Sequence, residues 1–202
     1  KKDIIEKEPI KLLLKLFLFG ILSTGVALFL EIYAEKIFPF SLQSNIIGIL
    51  FRSFIIISFC EELVKWLFNY VYDAIVYCVF ISLGFASVEN LIAILSNSGG
   101  FTLALQRGLI TVPAHAFFGI ISGYYLGLAK KYEARRWNKR KRKYIILSLL
   151  IPIIVHGMFD SLLFLSSTAS LLFATALIVY LYLSSALKVV KTSSEAKKIT
   201  RR

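Results

Sequence analysis

Histidine, cysteine and acid are scarce in this chain. Only two histidines, His115 and His156, and two cysteines, Cys60 and Cys78, occur in 202 residues. Two cysteines, each inside an apolar run, cannot make the disulfide framework of a small secreted fold; they read as small buried hydrophobes. No His-Glu-x-x-His stretch is present, so the zinc-protease pattern of soluble enzymes is absent. Acidic residues number 12 against 24 basic ones, a formal charge of +12. The excess cations cluster at the ends of apolar runs, which is a topology signal of membrane proteins, so nucleic acid is not the expected partner. The apolar runs do not alternate with polar residues, which argues against a membrane β-barrel. Internal repeats and low-complexity tracts are missing too. No small-residue cleavage site follows the first apolar run, so no cleavable signal peptide is expected.

What the chain does hold is hydrocarbon. Hydrophobic residues make up 57% of it and the mean hydropathy is +0.74, more apolar surface than a soluble domain of this size can cover. In lipid the backbone must satisfy its own polar groups, so the expected fold is all-α: one polytopic helix bundle over 1–202. About six spans are expected, near 12–38, 46–70, 73–95, 101–130, 144–165 and 169–190. A charged lead-in to Lys11, a turn around Pro39 and Ser41, and the Ser/Asn/Gly loop at 96–100 punctuate them. The loop at 130–143 and the tail at 188–202 are the most basic stretches. By the positive-inside rule both termini and that loop face the cytosol, and the loops near Ser41 and Asn97 face out. The basic loop is then a topology anchor that touches anionic lipid of the bilayer.

Ionisable side chains inside such spans cost about 2.5–3.5 kcal/mol each on insertion scales, so they point at partners, water or substrate. The second expected span carries Phe59-Cys60-Glu61-Glu62-Leu63-Val64-Lys65, two carboxylates and a lysine in an apolar run. The third adds Asp73, Glu89 and Asn90, the fourth Arg107 and His115, and the fifth His156 and Asp160. Glu61 and Lys65 share a helix face, so the lysine either neutralises the glutamate or snorkels to the cytosolic edge. His156 and Asp160 share one as well, and Asp160 can orient the imidazole through one ring nitrogen. At a rise of about 1.5 Å per residue in straight spans, Glu61, His115 and His156 fall roughly 18–23 Å from the external side, and Glu89, Asp160 and Arg107 roughly 9–12 Å. A carboxylate and two imidazoles at one depth suit two chemistries. One is a metal site with a glutamate as base on the bound water. The other is metal-free, with glutamate as base and His, Asn or Asp groups stabilising the oxyanion. Gly119 and Gly123 share a face that lets another helix approach, within the bundle or from a second copy.

Taken in order on separate spans, Glu61-Glu62-x-x-Lys65, Gly84-Phe85-x-x-x-Glu89-Asn90, His115 and His156-x-x-x-Asp160 resemble the PrsW family of intramembrane proteases, in the larger group of CAAX prenyl endopeptidases and bacteriocin-processing proteases. Asp73-Ala74-Ile75-Val76-Tyr77, Arg107 eight residues before His115, and Gly119-x-x-x-Gly123-Tyr124-x-x-Gly127 fit it too. The likeness covers about 58–165, inside a catalytic core of about 46–166. It implies an intramembrane endopeptidase of a prokaryotic plasma membrane, cutting a membrane-anchored protein of the anti-sigma-factor type. Glu61 would be the base that activates water and Glu62 its support. His115 and His156 would be zinc ligands, with Glu89 as a third, or else oxyanion and water-positioning groups. Asp160 would partner His156, and Lys65, Asn90 and Arg107 would support the site. Six spans are few for the family, which leaves open the part of the first span in substrate access. Two other classes compete. A non-catalytic scaffold is expected to have lost some of these residues, and a proton-coupled transporter is expected to show inverted repeats and broken helices in both halves.

Overall fold

A computed structural model describes residues 8–71, 75–97 and 99–200. The first seven lead-in residues, Tyr72 to Ala74 with the expected site-flanking Asp73, Ser98, and the two arginines that end the tail lie outside the described residues. Helix α1 (Ile10–Ile37) starts directly after Pro9 and ends with Phe38 left between it and Pro39, since a proline disfavours helix in the residue ahead of it. A 3-10 turn, Pro39–Leu42, follows. Helix α2 (Ile46–Phe51) is capped by Asn45, whose Oδ1 accepts a hydrogen bond from Gly48 N at 2.8 Å. The chain then passes through a π-helical stretch, Arg52–Ile57, straight into α3 (Ser58–Val71). Helices α4 (Ile75–Ser96), α5 (Gly100–Leu109), α6 (Thr111–Ala134), α7 (Asn138–Leu165) and α8 (Thr168–Thr200) complete the described chain, which contains no strand.

Among the described residues, five helical stretches are long and apolar enough to cross a membrane: Ile10–Ile37, Ile75–Ser96, Gly100–Ala134, Asn138–Leu165 and Thr168–Ser194. The helical run over 46–71 is not among them, and Arg52, Glu61, Glu62 and Lys65 are the charges that interrupt its apolar character. The expected fourth span is two helices, broken at Ile110. Pro113 explains the break, because it has no N–H to offer the carbonyl of Leu109. The basic connection is shorter than its composition suggests. Helix α6 runs to Ala134 and α7 begins at Asn138; lysine and arginine are good helix formers, and Lys141 pairs with Glu133 across the turn.

Glycines set how closely the helices pack. A Cβ on Gly84 of α4 would lie 2.0 Å from Phe17 O of α1, and one on Gly20 would lie 2.1 Å from Ile81 O, so α1 and α4 cross with backbones in contact. Gly119 and Gly123 of α6 meet α4 in the same way, at Cys78 O and Ile75 Cα. Their shared face therefore serves the bundle. Helix α4 is clamped between α1 and α6, α3 and the π stretch lie against α7, and α8 packs outermost on α6 and α7. Phe118, Ile121, Phe159 and Leu181 form one core cluster, and Ala27, Val64 and Phe85 another. Leu14, Leu18, Leu22 and Phe29 of α1 and Phe173, Tyr180 and Leu187 of α8 point outward and stay exposed, as a lipid-facing surface requires. Cys60 and Cys78 are both buried, on α3 and α4.

Candidate active site

The π stretch positions the acid pair. An extra residue in a helical turn rotates everything downstream by about 100° relative to an unbroken helix. At its first residue Arg52 reaches Glu35 on α1 at 2.9 Å. Downstream of it Glu61, Glu62 and Lys65 all face inward, 4%, 4% and 0% exposed.

Lys65 sits at the hub. Its ammonium lies 2.5 Å from Glu62 Oε1, 3.4 Å from Glu61 Oε2 and 3.2 Å from His115 Nδ1. It also stands 4.3 Å from the centroid of the Phe85 ring. Of the two fates open to this lysine, the structure shows neutralisation. Two carboxylates and an aromatic face replace the water it gives up. Phe85 thus packs, as its place one turn before Glu89 suggests.

Two chains of contacts leave this hub. On one side His115 Nε2 lies 2.7 Å from Glu89 Oε2, and Arg107 Nη2 donates to Glu89 Oε1 at 2.6 Å. Arg107 Nε donates to Asn90 Oδ1 at 2.5 Å, and Asn90 Nδ2 donates to Ala86 O at 2.7 Å. On the other side His156 Nδ1 lies 2.9 Å from Glu62 Oε1, and Nε2 lies 3.3 Å from Asp160 Oδ2 and 4.0 Å from Glu61 Oε2. The two imidazoles meet edge to face with centroids 5.2 Å apart, and His156 stacks on Phe118 at 4.7 Å.

Glu61, His115 and His156 each offer one ligand atom, and those atoms lie within 4.8 Å of one another. Two imidazoles and a carboxylate make a donor set that zinc uses in hydrolytic sites with an open position. In donor type and proximity the three fit a zinc ion. His115 has Lys65 against one nitrogen and Glu89 against the other, so coordination through this ring would replace one of those contacts. Glu89 stands outside the three-residue set, against His115 and Arg107.

A cavity of about 280 Å³ opens beside these groups. Its wall includes Glu31, Glu61, Glu89, His115, His156 and Asp160; Glu62 and Lys65 do not line it. It lies toward the ends of α1, α4 and α7 that adjoin the connections at 38–45, 97–99 and 166–167, away from the basic turn at 135–137.

Nine residues singled out in the sequence therefore form one connected network: Glu61, Glu62, Lys65, Glu89, Asn90, Arg107, His115, His156 and Asp160. Glu61 and the two histidines converge as their common depth suggests, and Glu89 pairs with Arg107. Asp160 instead joins His156, one turn away on its own helix. Glu31, an acid near the far end of the first expected span, is not among the residues the sequence singles out, yet it lines the cavity. The signal was the spacing Thr24, Leu28, Glu31, which puts three cavity-lining residues on one face of α1.

The family model described as PrsW family intramembrane metalloprotease matches residues 8–187. Protease PrsW of Clostridioides difficile (strain 630) is 31% identical over 211 residues, covering 98% of this chain and 86% of its own length. Protease PrsW of Geobacillus kaustophilus is 34% identical over 173 residues, with 80% of this chain and 71% of the relative covered. Protease PrsW of Bacillus subtilis is 33% identical over 173 residues, with 80% and 74% covered. No solved structure matches the chain significantly.

Proposed function

Because this chain belongs to the PrsW family of membrane proteases, we propose that it is an intramembrane endopeptidase that hydrolyses a peptide bond of a membrane-anchored protein, with Glu61 as the reactive carboxylate. The observation that carries this reading is the meeting of Glu61, His115 and His156, from three separate helices, on the wall of one cavity. Of the two adjacent acids only Glu61 lines that cavity; Glu62 is held between Lys65 and His156.

The chemistry follows from those positions. A water in the cavity gives a proton to the Glu61 carboxylate as its oxygen attacks the scissile carbonyl carbon. The carbonyl oxygen becomes an oxyanion, and a ring N–H of His115 or His156 stabilises it by exchanging its carboxylate partner, Glu89 or Asp160, for the oxyanion. Collapse of the tetrahedral intermediate breaks the C–N bond, and the departing amine takes the proton from Glu61. Asp160 holds the His156 ring in orientation. Lys65 and Glu62 fix both the acid pair and His156 from behind the cavity wall. If zinc binds, His115, His156 and one oxygen of Glu61 would hold it, leaving the other Glu61 oxygen to take the proton, and the ion would polarise the carbonyl and acidify its water.

The helical run at 46–71 acts as a sixth membrane crossing, which puts both termini and the basic turn on the cytosolic side of a prokaryotic plasma membrane. The contact between Tyr77 at the start of α4 and Glu8 ahead of α1 supports this, since it brings those two helix starts to one end of the bundle. The cavity then lies toward the external half. The resemblance adds the cellular role, cleavage of an anti-sigma factor and release of its sigma factor, and a place among the CAAX-type proteases. A scaffold has no need of a connected ion-pair network around a cavity, and a transporter reading has no repeat to support it.

The test is cleavage of single-span peptides by the purified protein in proteoliposomes, run in ¹⁸O-labelled water with products mapped by mass spectrometry. The expected result is one ¹⁸O in each new carboxyl terminus and no product from Glu61→Gln. Undiminished cleavage by Glu61→Gln would overturn the assignment.

A further inference from the structure

Four carboxylates stand on the cavity wall, Glu31, Glu61, Glu89 and Asp160, against a single guanidinium, that of Arg107. Three of the four have basic neighbours within reach: Glu61 has Lys65, Glu89 has Arg107 and His115, and Asp160 has His156. One turn beyond Glu31, Glu35 is taken by Arg52. Glu31 differs. Its Oε1 is buried and has no hydrogen-bond partner among the described residues. A buried acceptor left unmade costs about 1–3 kcal/mol, more if charged, and folds keep such groups where something else satisfies them.

From this we propose that Glu31 is a specificity-determining residue that receives a basic side chain, lysine or arginine, of the substrate next to the scissile bond. The proposal rests on the hydrolase reading above and names what that site selects. Glu31 shares its cavity with Glu61 and both histidines, so a peptide with its carbonyl at Glu61 has its neighbouring side chain within that same small volume. The excess of acids on the wall favours a cation there. Leu28, one turn back on the same face of α1, gives the aliphatic stem of that side chain an apolar wall. A guanidinium or ammonium against Glu31 makes a charge-assisted hydrogen bond to the open oxygen. The first span thereby takes part in substrate recognition, which its sequence left undecided.

The experiment compares wild type, Glu31→Gln and Glu31→Lys on a library of single-span peptides in proteoliposomes, with cleavage sites mapped by mass spectrometry. Wild type is expected to prefer Lys or Arg at one position flanking the cut, Glu31→Gln to lose that preference by about tenfold or more, and Glu31→Lys to favour Asp or Glu there. The same flanking preferences in wild type and Glu31→Gln would overturn the proposal. A second arm does not depend on turnover: binding of a Lys-bearing peptide and its Gln counterpart to the Glu61→Gln protein. Tighter binding of the Lys peptide, abolished by adding Glu31→Gln, supports the subsite even if no peptide is cut. Equal binding of the two peptides to the Glu61→Gln protein refutes it even if hydrolysis is established.

Discussion

Glu62 and His156, 94 residues apart in sequence, meet through Oε1 and Nδ1 at 2.9 Å, and the same carboxylate oxygen lies 2.5 Å from Lys65 Nζ. One oxygen thus ties α3 to α7 and holds a buried cation. This separates the two adjacent glutamates by task, one facing the cavity and one clasping the helices behind it.

Exchange of either glutamate should therefore abolish cleavage, but with different effects on stability. Glu61→Gln is expected to lower kcat by about 10²–10⁴-fold or more, the range of a lost general base, and to cost less stability than Glu62→Gln, because its contact with the Lys65 ammonium is the longer of the two, 3.4 Å against 2.5 Å. Glu62→Gln should in addition destabilise the fold by about 3 kcal/mol, because it removes a partner from a fully buried ammonium. Denaturant unfolding in micelles, read by circular dichroism beside the cleavage assay, checks both. Equal stability of the two variants would contradict the division.

Lys65→Met is expected to destabilise by about 3–5 kcal/mol, leaving two buried carboxylates without their cation. The double variant Glu62→Gln/Lys65→Met should lose less than the sum of the singles, since each removes what the other strands. A double-mutant cycle measures the coupling directly, and additive losses would show that the pair is not a unit.

Metal content discriminates ligands from neighbours. Elemental analysis of purified protein should give about one zinc per chain in wild type, and loss of that zinc in Glu61→Gln, His115→Ala and His156→Ala, the three-donor set of a hydrolytic zinc site. Glu89→Gln should keep the metal bound but more weakly, by about 10–100-fold, the usual effect of removing a carboxylate that orients a ligating imidazole. Complete loss in Glu89→Gln would place Glu89 among the ligands.

Gly84→Ala should destabilise by about 1–3 kcal/mol through overpacking, because its Cβ would stand 2.0 Å from the Phe17 carbonyl oxygen. Gly25→Ala on α1, with nothing within 4 Å of its Cβ, should instead stabilise the helix by about 0.5–1 kcal/mol. Opposite signs in thermal unfolding of the two variants would verify the backbone contact between α1 and α4.

Most of the bundle was legible in the chain itself, for a simple reason. Lipid leaves the backbone no partner but its own helix, so apolar runs of span length dictate helices almost without reference to one another. Charge supplied the candidate reactive set for a similar reason: Glu61, Glu89, His115 and His156 are too costly in hydrocarbon to be there idly. Local breaks were harder to see. The interruption at Ile110 arises from a single missing N–H at Pro113, and the π stretch ahead of Ser58 leaves no trace in composition.

Pairing belongs to the tertiary structure alone. Two acids side by side on one helix carry no mark of which faces a cavity and which clasps a histidine from another helix, because that depends on how α3 is rotated against α7. Lys65 had Glu61 or the membrane edge to choose from, and helix packing decided it by burying the ammonium against both glutamates, His115 and the Phe85 ring. Glu31 shows the same limit from the other direction: in sequence it is one more acid near a helix end, and it becomes notable only when the packing of α1 leaves its Oε1 buried with no hydrogen-bond partner among the described residues.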